Sequence, residues 1–194
     1  MPTEKTDHDD PGTDEKTPAK QYWRFAAMVL TGAVVMYATM YAGTWEWSHV
    51  RFSESRVFMA LTMAGTMGLV MLAWMLHMYR STRRNIAVVV ISLLALGVGI
   101  ALDRSQVTVD DSSFMNAMIP HHSLAITRSE RAGITDVRVC ELAKEISEAQ
   151  RREILEMEWL IDDIARNGEA TTVAEADVRA VPDFDRPALR TCQS

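Results

Sequence analysis

The chain has 194 residues, with 26 acidic against 20 basic side chains and a net charge of −6. Its mean hydropathy of −0.04 is that of an ordinary soluble protein. The acidic balance speaks against nucleic-acid binding, and the spacing of the two cysteines, Cys140 and Cys192, matches no metal motif.

The average hides a segregated sequence. Residues 1–21 are polar, rich in Asp, Glu, Thr and Pro, and read as a disordered tail. Three apolar blocks follow, at about Tyr22–Ala42, Val57–Tyr79 and Ile86–Leu102, each of a length that suits a membrane-spanning helix. Residues 22–103 therefore read as a three-helix membrane domain. The loop Arg80-Ser81-Thr82-Arg83-Arg84 holds three arginines and no acid, Lys16 and Lys20 precede the first block, and Arg24 lies at its start. By the positive-inside rule these sites are cytoplasmic, so the expectation is a multi-pass plasma (inner) membrane protein, N-terminus inside and C-terminal domain outside. Tyr37, Tyr41, Trp45 and Trp47 would form the outer aromatic belt.

The second block carries a methionine at every fourth position: Met59, Met63, Met67, Met71 and Met75. Four residues advance about 40° beyond a full turn, so the row winds around its helix and makes no straight conduit. Methionine is also a common filler of helix packing.

The exported part, residues 104–168, reads as a helical hairpin. Asp110 to Ser113 offer caps for a helix through Met115, Met118, His122 and Ser129, with Gly133 as its end. Asp136 begins a second helix that runs to Asn167, with Gly168 as its stop. Its expected inward face is Val139, Leu142, Ala143, Ile146, Ala149, Gln150, Glu153, Met157, Leu160, Ile161 and Ile164. Two helices bury little core, so pairing of two copies into a four-helix bundle of ferritin-like type is the simple completion, and a homo-oligomer is expected. Residues 169–194 read as a flexible tail. Cys140 lies off the expected core face, and the sequence leaves open whether it pairs with Cys192.

Chemistry concentrates on one stripe. Met115, Met118 and His122 lie within about 60° of one another on an ideal helix, while His121 is turned about 100° from His122. Thioether with imidazole suits a soft cation, Cu(I) above all. Gln150 and Glu153 interrupt the facing helix beside Met157, and a carboxylate there needs a partner, for which His121 or His122 is the natural candidate. The sequence has no Gly-x-Ser-x-Gly elbow, no His-Glu-x-x-His and no phosphate loop, so no enzyme is expected.

Ile119-Pro120-His121-His122-Ser123-x-Ala125-Ile126, with Ala149-Gln150-Arg151-Arg152-Glu153-Ile154-x-x-Met157, resembles the family catalogued as "domain of unknown function 305". The resemblance extends from Tyr37 to Asp163 and is closest to the membrane-anchored branch. It implies a small helical module associated with copper, with Met115, Met118, His121, His122 and Met157 as metal-contacting positions. Ser123 stands where many relatives have glutamine. The Met row resembles Ctr-type copper transporters in motif only. The resulting expectation is a membrane-anchored protein that binds or buffers copper, or silver, at the outer face. The competing reading is an interaction module whose histidines are a structural pair.

Overall fold

The computed structural model describes residues 18–192; the greater part of the expected tail at 1–21 lies outside them. Six helices, and no strand among the described residues, make up the chain: α1 (Pro18–Thr39), α2 (Glu54–Met75), α3 (Thr82–Ser105), α4 (Asp111–Arg131), α5 (Val137–Asn167) and α6 (Val173–Val178), with a 3-10 turn at Trp47–His49. The all-α expectation holds. The first helix begins at Pro18, inside the segment expected to be disordered.

Two helices, α2 and α3, are long and apolar enough to cross a membrane, where the sequence suggested three. The first falls short because Lys20, Gln21 and Arg24 lie within its opening turns. It nevertheless runs the length of α2. At one end Tyr22 Oη donates to Asn85 Oδ1 at 2.6 Å; at the other, Arg56 donates to the carbonyl of Met40 at 2.9 Å and stacks on Tyr41.

Small residues let α2 and α3 approach closely. A Cβ on Gly65 would lie 2.6 Å from the carbonyl of Ser92, and one on Gly99 would meet Thr62 and the carbonyl of Phe58. Close backbone packing at glycine, serine and threonine is how helices associate where no hydrophobic gradient drives them together. The outer faces carry Val70, Trp74, Ile91, Leu94 and Val98, all exposed and suited to lipid.

The caps read from the sequence operate. Asp110 Oδ1 accepts from the Ser113 N–H at 2.7 Å, Asp136 Oδ1 accepts from Arg138 N–H at 2.9 Å, and Gly168 (φ +78°) closes α5. Hydrogen bonds from Ser113 hold the Asp110 carboxyl below its ordinary value, and those from Arg138 do the same for Asp136. Helices α4 and α5 then form the expected hairpin around Met115, Ile119, Ile126, Ile154 and Met157.

The inward face of α5 differs from the expectation in its first half. Val139, Leu142 and Ile146 are exposed, while Cys140, Ala143 and Ser147 are buried. The reason lies in the C-terminal segment, which the sequence read as a loose tail. Cys140 and Cys192 form a disulfide, and the residues before Cys192 return across the hairpin as a strap. Arg190 Nε donates to the carbonyl of Ser129 at 2.7 Å and the Leu189 N–H donates to Glu130 Oε1 at 2.9 Å. Farther back, Arg179 pairs with Asp163 at 2.7 Å. The strap covers the face that carries Cys140 and Ser147, and so turns the apolar residues beside it outward.

Candidate functional site

The hairpin brings four of the five expected metal-contacting residues together. Met115 and Met157 are buried in one core cluster, Met118 packs against it, and His122 lies one turn beyond Met118 with its ring buried. His121 is on the surface, its ring centroid 6.2 Å from that of His122, as expected for neighbours about 100° apart on a helix that continues through Pro120.

His122 is engaged at both nitrogens. Nδ1 lies 3.0 Å from the carbonyl of Met118, which can only accept, so Nδ1 carries a hydrogen. Nε2 lies 2.7 Å from Glu153 Oε2, on the facing helix. The carboxylate that interrupts α5 thus finds its partner across the hairpin. Glu153 remains 38% exposed, so water and solutes reach the pair from one side. Gln150 Nε2 approaches the same oxygen at 3.5 Å. Among the described residues no group of three or more His, Cys, Asp and Glu is placed to hold a metal ion; the donors gathered here are mainly thioethers.

The membrane Met row does not form one site. Met59 and Met63 face outward, Met67 reaches Gly32 of α1, and Met71 and Met75 pack around Phe25, Leu72 and Tyr79.

Sequence reasoning missed a second polar centre, built by the segment between α1 and α2. Gly43 lets that segment seat against Leu124. The Trp45 N–H donates to Ser123 Oγ at 2.7 Å, and His49 Nδ1 lies 2.8 Å from the same oxygen. Trp45, expected in an aromatic belt, instead packs on the hairpin core, with the guanidinium groups of Arg131 and Arg151 each 5.2 Å from its ring. Arg51 and Glu158 form a further tie at 2.9 Å. Between segment and hairpin lies a cleft of about 320 Å³ lined by Trp45, Glu46, His49, Arg151, Ile154 and Glu158, among others. Ser123, His49 and Glu46 occur in a triad-like order, but Ser123 has no exposed surface, which shields its hydroxyl from any substrate. No short-range pattern announces these contacts, which join residues more than seventy positions apart.

A third buried polar group, Glu130, joins the strap. Burial pushes its carboxyl up. Hydrogen bonds from Ser147 Oγ and the Leu189 N–H, with the charge of Arg151, outweigh that and hold it below the ordinary glutamate value.

Two helices long and apolar enough to cross a membrane, followed by a helical hairpin strapped by a disulfide, define an all-helical protein with two candidate membrane spans. Residues 100–183, which include the hairpin and the helix that follows it, match the family described as "Domain of unknown function (DUF305)". The chain is also similar to "Uncharacterized protein L153" of Acanthamoeba polyphaga mimivirus, at 28% identity over 144 residues, which are 71% of this chain and 93% of that protein. No solved structure matches the chain.

Proposed function

We propose that this protein is a membrane-anchored soft-metal binder that takes copper, or silver, at the hairpin and buffers it or hands it on at the outer face of the plasma membrane. The observation that carries the reading is the packing of Met115, Met118 and Met157 in one core cluster, with the buried His122 one turn beyond Met118 on the same helix. Three thioethers and an imidazole match the preference of Cu(I); the Met118 carbonyl on Nδ1 would orient the ring, and metal would take Nε2 in place of its contact with Glu153. His121, on the surface beside the cluster, would serve as the entry ligand. A homo-oligomer that joins two hairpins would cover Val139, Leu142 and Ile146.

The membrane part of the proposal takes α1 as a third crossing. It is supported by α1 meeting the α2–α3 turn at Tyr22 and the opposite end of α2 at Met40, so that it traverses the same thickness. Lys20, Arg24, Arg80, Arg83 and Arg84 then gather at one end, which the positive-inside rule makes cytoplasmic, and the hairpin lies outside.

A second reading rests on the 2.7 Å His122–Glu153 contact: a structural pair in an interaction module that binds no metal. Cu(I) titration of the full-length protein in detergent, compared with a His121→Ala/His122→Ala variant of equal helicity, separates the two. The metal reading requires the variant to lose most of the bound copper. Equal uptake by two equally folded proteins would leave the structural pair.

A further inference from the structure

The segment between α1 and α2 meets the hairpin at a hydroxyl that has no exposed surface. Ser123 Oγ has two polar partners, and one of them, the Trp45 N–H, can only donate. With His49 Nδ1 at 2.8 Å as its acceptor, the buried hydroxyl hydrogen is satisfied when it is donated there, which needs a neutral His49 with its hydrogen on Nε2. That Nε2–H faces Glu46, whose Oε2 lies 4.0 Å away. A proton added to Nδ1 would turn that atom into a donor, so the hydroxyl would have to rotate and leave its own hydrogen without a partner in a buried contact. It would also place a charge on a side chain that is only 11% exposed.

We propose that residues 44–50 are a proton-operated latch: neutral His49 holds the segment closed on the α4–α5 core through Ser123, and protonation of the ring releases it. This holds whether or not the hairpin takes metal. Charged and polar groups face His49 from every element packed against it. Its own segment contributes Glu46 and Arg51, α5 contributes Arg151 and Glu158, α4 contributes Ser123, and Arg186 of the strap lines the same cleft. Loss of hydration by burial is the largest influence and disfavours the charged ring. Glu46 and Glu158 oppose it, Arg51 and Arg151 add to it, and the net effect holds His49 below the ordinary histidine value of 6.5. The open segment, with a hydrated ring, thus binds the proton more tightly than the closed one. Closure is fully favoured above 6.5 and is lost as pH falls below it. The other ties of the segment are the Trp45 N–H bond to Ser123, the packing of Trp45 beside Arg131 and Arg151, and the Arg51–Glu158 pair, which is about a third exposed on both sides and of a kind that contributes little. Release lifts Trp45 from the core that contains Met115 and Met157 and opens the cleft beneath it.

The test is amide hydrogen exchange on the full-length protein in detergent micelles between pH 7.5 and 5, corrected for the intrinsic pH dependence of exchange. In the wild type, peptides covering residues 44–52 should lose protection below the ordinary histidine value, by up to about tenfold per pH unit, while α5 peptides stay protected. His49→Asn keeps an acceptor near the Nδ1 position and does not titrate, so its segment should stay protected across the range. Wild-type protection that is independent of pH overturns the latch, and so does an acid-induced loss of the same size in the Asn variant. Should Asn fail to hold the segment even at neutral pH, nitrogen-15 NMR of the wild-type imidazole decides. A bare Nδ1 at neutral pH, with titration matching the loss of protection, sustains the proposal; a hydrogen on Nδ1 at neutral pH overturns it.

Discussion

Replacing Cys140 and Cys192 together by serine removes the covalent closure of the strap while changing little volume. The two residues are 52 positions apart, and cross-linking a loop of that size withdraws entropy from the open chain worth about 4 kcal/mol. The strap's own hydrogen bonds, from Arg190 to Ser129 and from Leu189 to Glu130, remain available but contribute only about 1 kcal/mol each. Against the ~5–15 kcal/mol that holds a typical domain together, the loss is large. The slowest-exchanging amides of α4 and α5 report the opening of the hairpin, and those of α2 and α3 serve as an internal reference in the same sample. The double variant should lower the hairpin's opening free energy by roughly 4 kcal/mol and leave α2 and α3 unchanged. A loss below about 1 kcal/mol would refute the reasoning and mean that the hairpin core stands without its strap.

Two more outcomes follow from the membrane part. Since Met63, Met67 and Met71 lie in different surroundings, changing all three to leucine should preserve the fold, at a cost below about 1.5 kcal/mol per site, and leave Cu(I) stoichiometry unchanged. A fall in stoichiometry on titration would return the row to the metal site. With the native disulfide intact, a cysteine introduced at Thr171 should react with an impermeant maleimide in whole cells and one at Ser81 should not; the opposite pattern would invert the proposed orientation.

The hairpin was legible because its signals are local. Asp110, Asp136 and Gly168 mark helix ends through single side chains or a single backbone angle, and Glu153 stands out on an apolar face at the right phase to meet His122. The outward turn of Val139, Leu142 and Ile146 was not legible. Helical periodicity says that a face is apolar but not which neighbour competes for the space beside it, and here the competitor is the strap near Cys192. Trp45 was misplaced for the same reason. An aromatic residue near a membrane end suits the interface on composition alone, and only the long-range contact with Ser123 draws it onto the hairpin. In α1, Lys20 and Arg24 dilute the opening turns of a helix that is apolar beyond them and packs along α2, so composition alone does not decide whether it spans.

The link between α3 and α4 consists of residues 106–110 alone. Fully stretched, it reaches about 20 Å. The Ser55–Gln106 and Glu54–Thr108 hydrogen bonds keep it close to the start of α2, and even with those bonds broken α4 has little slack. On the membrane-anchored reading, the hairpin cannot search the surrounding solution for a partner as a domain on a long leash would. Whatever it gives or receives must come to the bilayer surface, and two such proteins meet by diffusing in the plane of the membrane.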